Sequence, residues 1–282
     1  MRLLLLECDT PDILQTIPVG VEVHRVSAIP TRKELRVVDA ACREILPEDP
    51  TPSLDEIMAQ PDVPFLGEPQ FAPQPIEEPL RIIVHGSDAA LSAVLTRLMR
   101  ADNLWAEVGF VPSGTSTVAA VWNLPTFAHD ALAFALDAAV VPKPLIRDDA
   151  GVAVAATATM SNWEGNALTG EIIVDSTTLA RHEATKLRPR TGVYGALLTS
   201  TVDAPGVAGW MLKTSLHPAK KHFGRKTLAA GMTSGDPLFG RAMQAGGVDL
   251  QVRVDGVSRK RPVRSATFYR HLRDLQSVRP VQ

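Results

Sequence analysis

Only two cysteines, Cys8 and Cys42, occur in 282 residues. That is too few for a disulfide framework or a thiolate cluster, so a reducing, cytosolic compartment is the expectation and neither thiol is a site candidate. Aromatic residues make up 5% of the chain, with two tyrosines and four tryptophans. Stacking platforms for single strands are therefore scarce, and nucleic acid is not an expected partner. Long apolar runs are lacking too. Leu3 to Leu6 meets Glu7 and Asp9, and Phe127 to Val141 is interrupted by His129, Asp130 and Asp137; neither reaches the length of a signal core or a membrane span. A cytoplasmic protein is expected. There is no Gly-x-Ser-x-Gly elbow, no Walker A sequence and no Gly-x-Gly-x-x-Gly fingerprint, so hydrolase, P-loop and ordinary dehydrogenase readings have no residue-level support. His217 and His222 lie five apart with no cysteine near, which fits no zinc spacing.

What is present is a balanced composition, 45% apolar and 21% charged, as in globular proteins long enough for a buried core in two domains. The net charge of -2 conceals an asymmetry. Residues 1–80 carry 6 Lys and Arg against 15 Asp and Glu, whereas residues 213–282 carry 14 against 4. Such asymmetry suits two ends that face each other, or a basic end that meets an anionic partner such as nucleotide phosphates, a lipid head group or a membrane surface, the last making the protein peripheral to a membrane. The dense segment Leu216 to Lys226 and the cluster Arg259, Lys260, Arg261 and Arg264 read either as anion-binding loops or as solvated faces.

Along the chain, Leu3 to Leu6 reads as an edge strand and Arg32 to Leu46 contains an amphipathic helix. Residues 47–79 are proline-rich and acidic, and are expected to form a long loop with one short helix near Leu54 to Gln60. From Arg81 the signal sharpens. Ile82 to Val84 is an apolar run suited to a strand buried on both faces. Leu91, Val94, Leu95 and Leu98 then fall at i, i+3, i+4 and i+7, the stripe of a helix. Trp105 to Val111 predicts a second strand, and Ser116 to Trp122 a second helical stretch. Strand, helix, strand, helix with short connections predicts an α/β domain with a parallel sheet, placed at residues 1–141.

Beyond Pro142 short runs of strand propensity alternate with turn residues: Val152–Thr159, Glu171–Val174, Val193–Leu198, Val207–Leu212, Val248–Val254 and Val263–Tyr269. Val248, Leu250, Val252 and Val254 keep a period of two, predicting one face in and one out. Asp255-Gly256 marks a turn back. Residues 142–282 are thus expected to form an antiparallel β-sandwich, its last residues returning to the first domain. Glu171 and Asp175 share a face of a predicted strand, and Asp148-Asp149 suits a hairpin turn.

Loops at the carboxyl ends of parallel strands share one rim. The bends Gly86-Ser87-Asp88 and Ser113-Gly114-Thr115 should therefore adjoin, each feeding a helix N-terminus whose free amides suit phosphates. Asp88 could reach a magnesium ion bridging phosphates. It equally suits an N-cap, and Gly114, Thr115 and Ser116 suit a tight turn and the next cap.

Ile83 to Leu91, followed by Gly109 to Thr115 and then Asn123-Leu124-Pro125, resembles the core of the diacylglycerol kinase family, which is related to the NAD kinases. There a strand leads into a Gly-Gly-Asp-Gly-Thr motif and a helix, and a second strand into a Pro-x-Gly-Thr turn. The resemblance implies an α/β nucleotide-binding domain followed by a β-sandwich, ATP and Mg in the cleft between them, and γ-phosphoryl transfer to a lipid-like hydroxyl. It implies Gly86, Ser87, Asp88, Ser113, Gly114 and Thr115 at the nucleotide, with Asp88 at the metal. An NAD kinase-like activity and a catalytically silent nucleotide- or lipid-binding module are the alternatives; oligomeric state is left open. The motif is degenerate: Ser87, Ala89 and Ala90 stand for Gly, Gly and Thr. Asp255-Gly256 resembles the family's Asp-Gly-Glu turn, whose Glu acts as base, but Val257 stands in that Glu's place and cannot accept a proton; Asp88 and Asp255 are the catalytic candidates that remain. The family's Asn-Pro-x-Ser-Gly loop is missing from residues 1–30.

Overall fold

The structure, a computed structural model, describes residues 1–9, 17–47, 67–72, 76–183, 191–217 and 229–281. The expected short helix near Leu54 to Gln60 and most of the basic segment Leu216 to Lys226, His222 included, lie outside the described residues. The elements in chain order begin β1 (Arg2–Cys8), β2 (Val21–Val26), α1 (Arg36–Ile45), β3 (Leu80–Gly86), α2 (Asp88–Arg100), β4 (Glu107–Pro112), α3 (Thr117–Val121), α4 (Ala128–Asp137) and β5 (Val140–Lys143). They continue with β6 (Ile146–Asp148), β7 (Ala153–Val154), β8 (Thr157–Asn162), β9 (Gly170–Val174), β10 (Thr177–His182), β11 (Gly195–Ser200) and β12 (Val207–Leu212). The last are β13 (Leu238–Gly240), β14 (Ala242–Val254), β15 (Val257–Ser258), β16 (Val263–Arg270) and β17 (Leu275–Val278).

Two compact units result. The first comprises Met1–Pro144, Val202–Ala204 and Leu272–Gln282. Its six-stranded sheet runs β2-β1-β3-β4-β17-β5, parallel except for the β17–β5 pair. Leu4, Leu5 and Leu6 are fully buried, and β1 is paired on both sides. The edge reading of this strand is thereby corrected: a continuous leucine run belongs to a strand covered on both faces, and the edge is β2, whose side chains are half-buried or exposed. The stretch Phe127 to Val141, read only as too short for a span, contains α4, which packs Ala131, Leu132, Ala135 and Leu136 on Leu5, Ile83 and Val111.

The far end of α4 is tied down by a buried cation. Arg81 Nη1 donates to the carbonyls of Ala135 and Leu136, at 3.1 and 2.7 Å, and its Nε pairs with Glu107 at 2.7 Å. It thus supplies donors for carbonyls that the helix cannot satisfy internally. A bidentate pair between Arg97 and Asp39 clips α2 to α1.

The second unit, Leu145–Thr201 and Pro205–His271, is an antiparallel β domain. Its core gathers Met160, Leu168, Ile172, Leu198, Met243, Leu250, Val252 and Phe268. Leu250, Val252 and Val254 point inward as their alternation predicts, but Val248 is exposed. The β14–β16 register shifts between Gly246 and Leu250, and Asp249 takes a positive φ of 49°. A bulge inserts residues and breaks the period of two there. Asp175 lies in the turn after β9 with φ 50°, not on the strand face expected for a pair with Glu171. Its carboxylate accepts from the amides of Arg241 and Ala242, while Glu171 accepts from the Thr178 hydroxyl.

Candidate functional site

The chain runs from β1 to β2 on one side and then to β3 on the other, so the strand order reverses between β1 and β3. In open α/β sheets ligands collect outside the carboxyl ends of strands at such a switch point. Both candidate bends sit on that rim. Gly86 and Pro112 are register partners at the ends of β3 and β4, and the Ser113 amide donates to the Gly86 carbonyl at 2.9 Å.

The N-cap of α2 is Ser87, whose hydroxyl accepts from the Ala90 amide at 3.2 Å. Asp88 is instead the first helical residue, and its carboxylate reaches across to the neighbouring bend. It accepts from the Ser116 hydroxyl and from the amides of Thr117 at 2.8 Å and Val118 at 3.4 Å. Ser116 in turn caps the Ala119 amide at 2.9 Å. The first turn of α3 therefore has its orphan amides satisfied by two side chains, one from each bend. The short connection from β3 to α2 is what aims Asp88 across this gap.

The two glycines differ. A Cβ on Gly86 would stand 2.8 Å from Cys8 Cβ and 3.0 Å from Ala90 Cβ, so this glycine lets β1, β3 and α2 close together. A Cβ on Gly114 would meet nothing within 4 Å. Ser113, Gly114 and Thr115 are all exposed, and the bend presents backbone and two hydroxyls to open space. Phosphates of a nucleotide fit that bend, where small residues and hydroxyls leave an approach. For a magnesium ion the fit is narrower: among the described residues no group of three or more His, Cys, Asp or Glu is placed to hold a metal. Asp88, with both oxygens already accepting, could contribute one ligand to an ion brought by phosphates.

Beside the bends, Glu7 and His85 are register partners near the ends of β1 and β3, and both are buried. Glu7 Oε2 accepts from Arg25 Nε at 3.2 Å. Burial pushes the His85 imidazole below its ordinary pKa, with Glu7 opposing. Sequence reasoning did not single out this pair; two ionisable residues ending adjacent buried strands were the available signal.

Asp255 and Val257 lie in the second unit. Asp255 is buried and sits in the two-residue turn joining β14 to β15, with φ 44°, followed by Gly256 at φ 88°. This is the Asp-Gly turn geometry that hairpins favour. Its carboxylate accepts from the amides of Ala155, Ala156 and Thr157 at 2.7, 2.9 and 2.8 Å. Val257 is exposed. Asp148 ends β6, accepts from the Val152 amide at 2.7 Å and pairs with Arg259; Arg259 is thereby tied into the fold.

Among the described residues no helix is long and apolar enough to cross a membrane. No protein-family model and no curated protein sequence matches the chain. Solved structures do. A diacylglycerol kinase from Bacillus anthracis superposes with a TM-score of 0.58 at 10% identity, over 99% of this chain and 97% of that one. An NAD kinase from Archaeoglobus fulgidus in complex with ATP superposes with a TM-score of 0.50 at 12% identity, over 98% and 92%. The chain has the fold shared by the diacylglycerol kinases and the NAD kinases.

Proposed function

We propose that this chain binds ATP, with Mg carried on its phosphates, against the bends Gly86-Ser87-Asp88 and Ser113-Gly114-Thr115, and transfers the γ-phosphoryl group to a hydroxyl of a lipid-like acceptor. The observation that carries the reading is the adjacency of two small-residue bends, at the ends of β3 and β4 on the rim beside the switch point, with Gly114 facing open space. The likeness to an NAD kinase solved with ATP supports a nucleotide as the ligand. Exposed amides and hydroxyls at Gly114 and Thr115 would hold phosphate oxygens, and the Ser87 hydroxyl lies on the same rim. Phosphoryl transfer is mainly positioning and charge stabilisation, so the fold alone does not decide turnover.

A second reading, a nucleotide-binding protein without transfer, is favoured by two specific observations. The Asp88 carboxylate serves the first turn of α3, and the position of the family's base is an exposed valine, Val257. An NAD kinase-like acceptor preference is a third, since the shared fold does not separate acceptors.

Thermal denaturation with ATP, with and without Mg, tests binding: at a hundredfold excess over Kd a stabilisation of about 2.7 kcal/mol is expected. No shift at millimolar nucleotide rejects both nucleotide readings. Transfer of labelled phosphate from ATP to an extracted lipid pool then separates kinase from silent binder.

A further inference from the structure

A cleft of about 340 Å³ opens between α1 and the far end of α2, lined by Arg36, Asp39, Arg43, Arg97, Ala101 and Asn103. Arg36, Asp39 and Arg43 recur at i, i+3 and i+7 on one face of α1, and Arg97 in the last turn of α2 is followed at i+4 by Ala101, the C-cap of that helix. Asp39 is the one acid in the lining and is already engaged, accepting both Nε and Nη2 of Arg97 at 2.7 Å. Arg43 spends its Nε on the Asp39 carbonyl at 3.2 Å. Arg36 and Arg43 are exposed, and among the described residues neither pairs with a carboxylate.

Compensation of helix dipoles accounts for Arg97 in the last turn of α2 and for Arg43 in the last turn of α1. It does not account for Arg36, the first residue of α1, where a cation opposes the dipole. Three guanidinium groups around one neutralised carboxylate leave two positive charges in excess. A phosphate monoester carries about -1.5 to -2 at pH 7, and the guanidinium fork matches phosphate oxygens in pairs. The volume stands at the lower end of small-ligand pockets, which suits one phosphate on a small polar body. Along α2 the lining residues Arg97 and Ala101 stand about 14 and 20 Å from Asp88, so the cleft is distinct from the nucleotide bends.

We infer that the cleft between α1 and α2 is a second anion site, taking a phosphate monoester supplied in solution or on a lipid headgroup. The test uses the full chain and the double variant Arg36→Gln/Arg43→Gln, which leaves the Asp39–Arg97 pair in place; circular dichroism checks its fold. One arm titrates inorganic phosphate and glycerol 3-phosphate against thermal stability, with chloride at equal ionic strength as the control. The other measures flotation with phosphatidylcholine vesicles with and without phosphatidate. Saturable binding in either arm, weakened about tenfold for each arginine removed, is the expected result, and the arm that responds identifies the source. Binding that survives undiminished in the double variant, or no saturable effect beyond chloride and plain vesicles, overturns the assignment.

Discussion

Replacing each of two glycines by alanine separates what holds the rim together from what the rim offers a ligand. At Gly86 the added methyl would stand 2.8 Å from Cys8 Cβ and 3.0 Å from Ala90 Cβ, both anchored close to backbone. Neither neighbour is the tip of a flexible side chain, so β1, β3 or α2 must shift. Overpacking of this kind costs about 1–3 kcal/mol, and in a domain of this size each kcal/mol lowers Tm by about 2–4 °C. At Gly114 the methyl meets nothing within 4 Å, and the backbone there is not among the positive-φ positions. Gly114→Ala should leave stability unchanged or raise it by about 0.4–1 kcal/mol through the unfolded chain. Its effect should fall on nucleotide, because the methyl occupies the approach to the exposed bend. Thermal and urea denaturation of the free proteins, followed by ATP titration of each, reads both consequences. A Gly86→Ala protein as stable as the parent, or a Gly114→Ala protein that is destabilised while binding ATP normally, would refute the division of roles.

Asp255→Ala should destabilise the second unit by about 3 kcal/mol or more in urea denaturation, since two buried amides and one half-buried amide lose a charged acceptor; loss of activity without loss of stability would contradict that role. Glu34 is only half-buried, yet the Thr31 hydroxyl and the Thr31 and Ser27 amides hold its carboxyl down at about 2. Its folded pKa lies below its unfolded one, so the stabilisation is present above about pH 4.5 and is lost as pH falls toward about 2. The protection factors of the Ser27 and Thr31 amides, taken against the intrinsic exchange rate at each pH, should fall over that window, and Glu34→Gln should abolish that pH dependence. Burial pushes the Cys8 and Cys42 thiols up to about 12, so alkylation at pH 8 should await unfolding; rapid labelling of native protein would show otherwise.

The parallel layer was legible from Arg81 onward because its signals are local: an apolar run, a stripe at helical spacing, and turn residues between them. The antiparallel character of the second half was legible from alternation for the same reason. What escaped depends on partners distant in sequence. The interior place of β1 is decided by its pairing with both β2 and β3, and nothing in four leucines counts neighbours. Strand β2 went unread because Glu22, His24 and Arg25 dilute its valines. The outward turn of Val248 follows from a bulge in the β14–β16 register. At the rim, the spacing of two strand–bend–helix units was enough to predict adjoining bends. It could not show that Asp88 reaches residues 28 to 30 positions on, nor that Asp255 clamps amides 98 to 100 positions back. The Arg97–Asp39 pair spans 58 positions, so the arginine cleft exists only once α1 and α2 are packed.

Backbone amide resonances, followed as ATP and Mg are added to the labelled full chain, would show whether nucleotide lands on the β3–β4 rim. Saturable shifts are expected at Ser87, Ser113, Gly114 and Thr115, with Arg36 and Arg43 unmoved at low nucleotide. Shifts confined to the α1–α2 cleft, or no shift at the rim at millimolar ATP, would contradict that placement.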